Sequence, residues 1–407
     1  MAQYLKARLR RYRDARKPSA EPETDKRGAV ETGSGASWAG WTEAGFRTLK
    51  REVFLELSVP LPGAFPAALP IIVPDILSVG KIPSAGDLLF FDLETTGLSG
   101  GAGTVAFLAA FGRFAKGGGK TRRNVRESAR GNVCGSACEN ARENACGNAR
   151  ENACGNARVQ ITQYLLLDYP GESDFIERVL GEFASPPLVV TYNGKSFDSQ
   201  ILKTRCLMNG VPPPDYFHAD LLHPARRLWK RVLPDCSQAT VEVSVLGLNR
   251  DGDVPGAMAP EIWFSFLKSG DNSALLSICD HNVRDITGLA TLFLALAEIA
   301  AEPFGSHERF RFDGEALALL WWKAIRKNPQ IFGGKEKATG EALLRNAARN
   351  GSPLAALVLA KNAEWHLKDY RLALEYTDSA LALTDISEEL RENLLRRRLR
   401  LERKMLL

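Results

Sequence analysis

Residues 88–97, LLFFDLETTG, decide how the rest of the chain is read. The run begins apolar and aromatic, as a buried strand does, and ends in Thr-Thr-Gly, residue types suited to a turn. Between these parts stand Asp92 and Glu94, two residues apart, which a continuing strand projects from one face. A strand end followed by a turn would explain that pair if it stood alone. It does not. In VVTYNGKSFDSQ, residues 189–200, Asp198 follows an apolar strand, a turn at Asn193 and Gly194, and Phe197. In ICDHNVRDITGLA, residues 278–290, Asp285 lies on a predicted helix four residues after His281. Each segment has a plain structural reading, as a capped helix start or as a polar stripe on a buried helix. Together they supply four carboxylates from three separated segments, the oxygen-rich ligand set of Mg2+ or Mn2+. Two such ions clamp the attacking and leaving oxygens of a phosphodiester.

The spacing of His281 and Asp285 puts both on one helix face. An imidazole titrates near neutrality, so His281 is the candidate to take a proton from the attacking water. Gly288, further along that face, either leaves space for substrate or eases helix packing. Phe197 packs beneath the site or against a base.

The neighbouring segments read as an α/β core. LLFFDLETTG, TVAFLAAFGRF (104–114) and VQITQYLLLD (159–168) form an antiparallel meander. SDFIERVLGEFA (173–184), SFDSQILKTRCLMNG (196–210) and ALLSICDHNVRDITGLATLFLALAEIA (274–300) read as helices, and PLVVTYNG (187–194) as a buried strand. Upstream, VFLELSVPLP and LPIIVPDILSV are strands or extended segments leading into that core.

Composition bounds the rest. The 407 residues carry a net charge of +5, with 45% hydrophobic and 25% charged residues, as in an ordinary globular protein. No apolar run is long enough to cross a bilayer, and MAQYLKARLRRYRDARK lacks the features of a secretory signal, so a cytoplasmic location and no membrane partner are expected. Residues 1–40 read as a flexible basic arm. Residues 115–158 form a low-complexity insertion in which ENACGNAR occurs twice in succession, at residues 143–150 and 151–158. It holds Cys134, Cys138, Cys146 and Cys154, but their spacing follows the repeat rather than a paired zinc knuckle, and a hairpin-loop insertion is expected. HADLLHPARRLWKRV (218–232) puts Arg226, Arg227, Lys230 and Arg231 at helical spacing beside Trp229. That helix is either a cationic track for a phosphate backbone or a solvated face with Trp229 in the core, and Asp220 either supports the metal acids or caps the helix. Thr95, Asn193 and Phe197, which border the acids, join these cations as candidate nucleic-acid contacts.

DLETTG, YNGKSFD and HNVRD, in this order, resemble the three motifs of the ribonuclease-H-like, DnaQ-type DEDD superfamily. With HADLLHPARRLWKRVLPDCS and LGLNRDGDVPGAMAPEIWFSFLKSGD, the stretch from about residue 41 to 300 resembles the YprB-type exonuclease domain. The resemblance implies a central mixed five-stranded sheet flanked by helices. It also implies 3′-to-5′ exonuclease chemistry with two Mg2+ or Mn2+ ions on Asp92, Glu94, Asp198 and Asp285. One departure is His281, which stands where one common class of the superfamily has tyrosine.

After residue 300 the chain turns helical. Residues 301–339 read as a helical linker and 340–407 as a small tetratricopeptide-like region, in which Ala360, Leu367, Tyr370, Ala373, Tyr376 and Ala380 approximate the interlocking positions of a helix pair. That region is a candidate surface for a protein partner. The sequence leaves three readings: a metal-dependent exonuclease on single-stranded or frayed 3′ ends of DNA or RNA, a structure-specific endonuclease, and a noncatalytic nucleic-acid-binding scaffold. The intact acids favour the first.

Overall fold

A computed structural model describes residues 38–97, 103–115, 156–184, 188–384 and 386–406. The basic arm up to residue 37 and the four cysteines of the repeat lie outside the described residues.

The strands are β1 (Trp41–Gly45), β2 (Thr48–Pro60), β3 (Leu88–Thr95), β4 (Ala106–Phe114), β5 (Asn156–Leu166), β6 (Leu188–Thr191) and β7 (Phe217–Asp220). They form one mixed sheet in the order β1-β2-β5-β4-β3-β6-β7. The expected meander is present: β3 pairs antiparallel with β4, and β4 with β5, while β6 and β7 continue the sheet in parallel. The β4–β5 register brings Phe114 opposite Val159, so the repeat-bearing insertion connects two adjacent antiparallel strands.

The sheet has seven strands, not the five that the resemblance implies. β1 and β2 are the addition. In β2, Val53, Leu55, Leu57 and Val59 turn inward while Glu52, Phe54, Glu56 and Ser58 are exposed, and this period-two pattern suits a strand with one covered face. β2 lies along β5 from Thr48↔Leu166 to Pro60↔Asn156, covering what would otherwise be an open edge.

Helices cover both faces. On β3 the alternation sends Leu88 and Phe90 into one core and Leu89, Phe91 and Leu93 into the other. The second core is closed by α1 (Glu172–Glu182), α2 (Asp198–Met208) and, beyond α3 (Leu222–Trp229) and α4 (Gln238–Val241), by α5 (Ala259–Ser269). The 29-residue α6 (Ser273–Ala301), about 43 Å long at 1.5 Å per residue, passes from one core to the other. Leu275, Ile278 and Cys279 belong to the second core, and the helix from Ile286 onward to the first. Gly112 of β4 permits that crossing, because a Cβ there would stand 2.5 Å from Cγ2 of Ile286.

After a single turn at His307–Phe310, five longer helices follow among the described residues: α7 (Gly314–Lys327), α8 (Gly334–Arg349), α9 (Pro353–Asn362), α10 (Tyr370–Leu381) and α11 (Glu388–Met405). The core under the sheet runs without a break into this helical region through Leu317, Trp321, Leu344 and Leu359. Ala360, Ala373 and Ala380 are buried where the last helices meet, Tyr370 and Tyr376 are half-buried, and Leu367 is exposed because it ends a π-helical turn. No helix among the described residues is long and apolar enough to cross a membrane.

Candidate metal centre

The parity of β3 places Asp92 and Glu94 with Leu88 and Phe90, on the side where α6 runs. Asp198 enters from the first turn of α2, and His281 and Asp285 from neighbouring turns of α6. All five line one cleft of about 210 Å³, together with Thr95, Tyr192, Asn193 and Phe197. The structure therefore brings together every predicted acid, the histidine and the three nearby contact candidates. Thr95 donates its hydroxyl to the Gly97 carbonyl at 2.9 Å. Asn193 takes a left-handed conformation at φ 65°, which its short polar side chain tolerates.

Burial pushes the Asp92 and Glu94 carboxyls well above the ordinary range, and the surrounding acids add to it. Burial likewise pushes Asp198 up to about 7. Unrelieved repulsion of this kind is what bound divalent cations remove. Asp92, Glu94 and Asp198 have no ion-pair partner among the described residues, while donor atoms of Glu94, His281 and Asp285 lie within 4.8 Å of one another. The hard carboxylate oxygens of the cleft fit Mg2+ or Mn2+.

Two supporting networks were not read from the sequence. In the first, Asn282 donates to Oδ2 of Asp92 at 2.6 Å and accepts from Gln163 at 2.8 Å. Gln163 also donates to the Cys279 carbonyl at 2.8 Å and accepts from Arg51 of β2 at 2.9 Å. Asn282 and Gln163 are wholly buried. The strand β2 that enlarges the sheet is thus wired to one of the cleft acids. No clear local signal marked Gln163, which shares its strand with Gln160 and Thr162.

The second network comes from the loop after the Glu242–Leu246 π turn that continues α4. Asp253 accepts from Nδ1 of His281 at 2.9 Å and from Arg284 at 2.6 Å. Nε2 of His281 lies 3.2 Å from Asp285. Burial alone would lower the imidazole, but the Asp285 and Asp253 carboxylates outweigh it and push His281 up to about 9. Arg250 bridges Glu242 at 2.5 Å, Asp253 at 3.1 Å and Asp285. Gly288 faces Glu242, whose carboxylate occupies the space a Cβ would need. Its role is therefore helix packing, and it opens no path for substrate.

Asp220 is buried at the end of β7 and accepts from the amides of Asn193 (2.8 Å), Lys195 (3.2 Å) and Leu222 (3.1 Å). It pins the turn that presents Phe197 and Asp198, and it satisfies the first amide of α3, whose N-cap is Leu221. The four cations of the following stretch are not equivalent. Arg231 pairs with Asp313 at 3.2 Å and Glu315 at 2.8 Å. Arg226, Arg227 and Lys230 are exposed, and Trp229 is fully buried, donating to the Phe310 carbonyl at 2.8 Å. Arg226 lies near the cleft-lining Tyr192, where its charge opposes the upward push of burial on the phenol.

Residues 152–297 match the model of the RNase_H superfamily. The chain is also similar to the uncharacterized protein YprB of Bacillus subtilis (strain 168), at 32% identity over 245 residues. That alignment covers 59% of this chain, and the chain spans about half (48%) of the relative's length. The matched segment carries Asp198, His281 and Asp285. Asp92 and Glu94 precede it and reach the same cleft through the sheet.

Proposed function

We propose, for a chain that carries a ribonuclease-H-like domain, that the cleft hydrolyses phosphodiester bonds as a 3′-to-5′ exonuclease on single-stranded or frayed nucleic-acid ends. The observation that carries this reading is the convergence of Asp92, Glu94, Asp198 and Asp285 in one buried, strongly acidic cleft. These residues would hold two Mg2+ or Mn2+ ions, which supply water activation and charge stabilisation at the phosphate. Tyr192 and Phe197 offer aromatic surface on which a terminal base can stack, and this supports a single-stranded end. Arg226, whose charge reaches the cleft-lining Tyr192, and Lys230 are exposed and offer positive charge for the phosphate backbone.

His281 is assigned as the general base, with Asp253 as the positioning residue that fixes its ring through Nδ1. For Nε2 to accept a proton, the Asp285 carboxylate must be engaged elsewhere, as it is when it serves as a ligand. On this reading residues 41–300 are the catalytic domain, and the helical region beyond it, a tetratricopeptide-like unit at 340–407, is available to a protein partner.

The test is Mn2+-dependent digestion of 5′-labelled single-stranded DNA and RNA by the wild type, Asp92→Ala and Asp285→Ala. A ladder of shortened products that both substitutions abolish is expected. Discrete internal cuts would replace the exonuclease with an endonuclease. Tight binding without cleavage would leave a noncatalytic scaffold.

A further inference from the structure

A second groove, of about 410 Å³, lies between α7 and residues 70–77, with Arg227 of α3 at its edge. Pro70, Leu319 and Leu320 give it an apolar floor, and Arg227, Lys323 and Lys327 rim it. The three cations are exposed, and none holds an ion pair among the described residues. Arg231, one turn from Arg227 on the other flank, is tied to Asp313 and Glu315, and the Asp313 amide donates to the Leu228 carbonyl at 2.8 Å. Those bonds fix α7 against α3, so the groove is a standing feature of the surface.

Successive helix residues point about 100° apart. Arg226 therefore faces the Tyr192 side of α3, and Arg227 faces the groove. One helix thus carries one cation whose charge reaches the cleft-lining Tyr192 and another at the groove. A floor of apolar side chains with cations along the rim is complementary to a chain of stackable bases joined by phosphates.

We infer that α3 is a ridge between the candidate catalytic cleft and this groove, and that the groove is an accessory binding site for single-stranded nucleic acid, holding the part of a substrate strand that lies beyond that ridge. The occupant follows from the proposed nuclease function; the groove itself follows from its own charge and apolar lining. Its consequence is length dependence: a strand that reaches from the cleft over the ridge gains contacts that a shorter strand cannot.

The experiment compares the full-length wild type with the double variant Lys323→Glu/Lys327→Glu on single-stranded oligonucleotides of about 5 and about 25 nucleotides, lengths that bracket common site sizes. Filter binding in EDTA runs alongside the Mn2+ cleavage assay. For the long strand, KM should rise at least about tenfold and the slope of log K against log salt should fall by about 1.4, as expected for two lost phosphate contacts. Values of kcat and KM on the short strand should stay at wild-type level, which also shows that the variant is folded. Equal losses on both lengths, or no loss on the long strand, would overturn the groove. So would loss of polyglutamate binding with oligonucleotide binding kept, since the site would then belong to an acidic protein segment. Absence of cleavage by the wild type would defeat the nuclease reading alone, because the EDTA binding arm still measures the groove.

Discussion

At the scale of single residues, the candidate site depends on groups whose side chains touch no substrate in the proposed reaction. Asp92 has two oxygens, and Asn282 occupies Oδ2, which leaves Oδ1 for a cation. Partners that orient a ligand in this way typically matter by about 10–100-fold in metal affinity or activity. Asn282→Ala should therefore raise the Mn2+ concentration for half-maximal cleavage by at least about tenfold, with a smaller loss of kcat at saturating Mn2+. A Mn2+ titration checks this; an unmoved midpoint would reduce Asn282 to a packing residue. The acids themselves were legible because DLET, SFD and HNVRD are local patterns. Asn282 stands inside the third of them, yet its partner lies 190 positions away and no local pattern pairs the two.

At the scale of elements, the fit between helix and neighbour decides what a position tolerates. Two glycines make the point. Gly181 of α1 has open space where a Cβ would go, whereas Gly288 of α6 meets the Glu242 carboxylate. Gly181→Ala should stabilise the fold by about 0.5–1 kcal/mol through helix propensity. Gly288→Ala should destabilise it by about 1–3 kcal/mol through overpacking and should disturb the Glu242–Arg250 pair. Urea midpoints of the two variants should move in opposite directions; movement the same way would show that α4 gives way without cost. Both glycines sit in sequences that read as good amphipathic or buried helix, so their period is visible and their neighbours are not.

At the scale of the whole molecule, the helical region carries a buried charge cluster that makes its stability depend on pH. Glu364 is wholly buried and bonds to Arg397, to Arg400 at 2.9 Å and to Lys404 at 2.9 Å, joining the turn after α9 to α11. Burial would raise its carboxyl, but the three cations outweigh that and hold it at about 2, below the ordinary 4.5. A depressed carboxyl contributes stability above its unfolded value and loses that contribution as pH falls through the folded one. The difference corresponds to about 3 kcal/mol. Protection of α11 in hydrogen exchange should thus be high at pH 7 and fall between about pH 4.5 and 2. Glu364→Gln should remove most of it at pH 7, while protection independent of pH would show that packing alone holds α11.

By itself the sequence determined the meander, the acids with His281, and the helical character of the C-terminal part, whereas LPIIVPDILSV, which reads as extended, is helical over Leu69–Ile72 and Pro74–Val79. Those properties are written in periods of 2 and 3.6 residues and in short motifs, which act over a few neighbouring positions. Only the tertiary structure decided that β1 and β2 extend the sheet, that Arg231 is taken up by Asp313 and Glu315, and that Gly288 makes room for Glu242. It likewise decided that Asp253 and Asn282 hold His281 and Asp92. Each of these is a choice of partner across a long stretch of chain. A buried polar group must be satisfied, but nothing in its own neighbourhood says by which residue, and close packing makes that selection only once the helices are on the sheet.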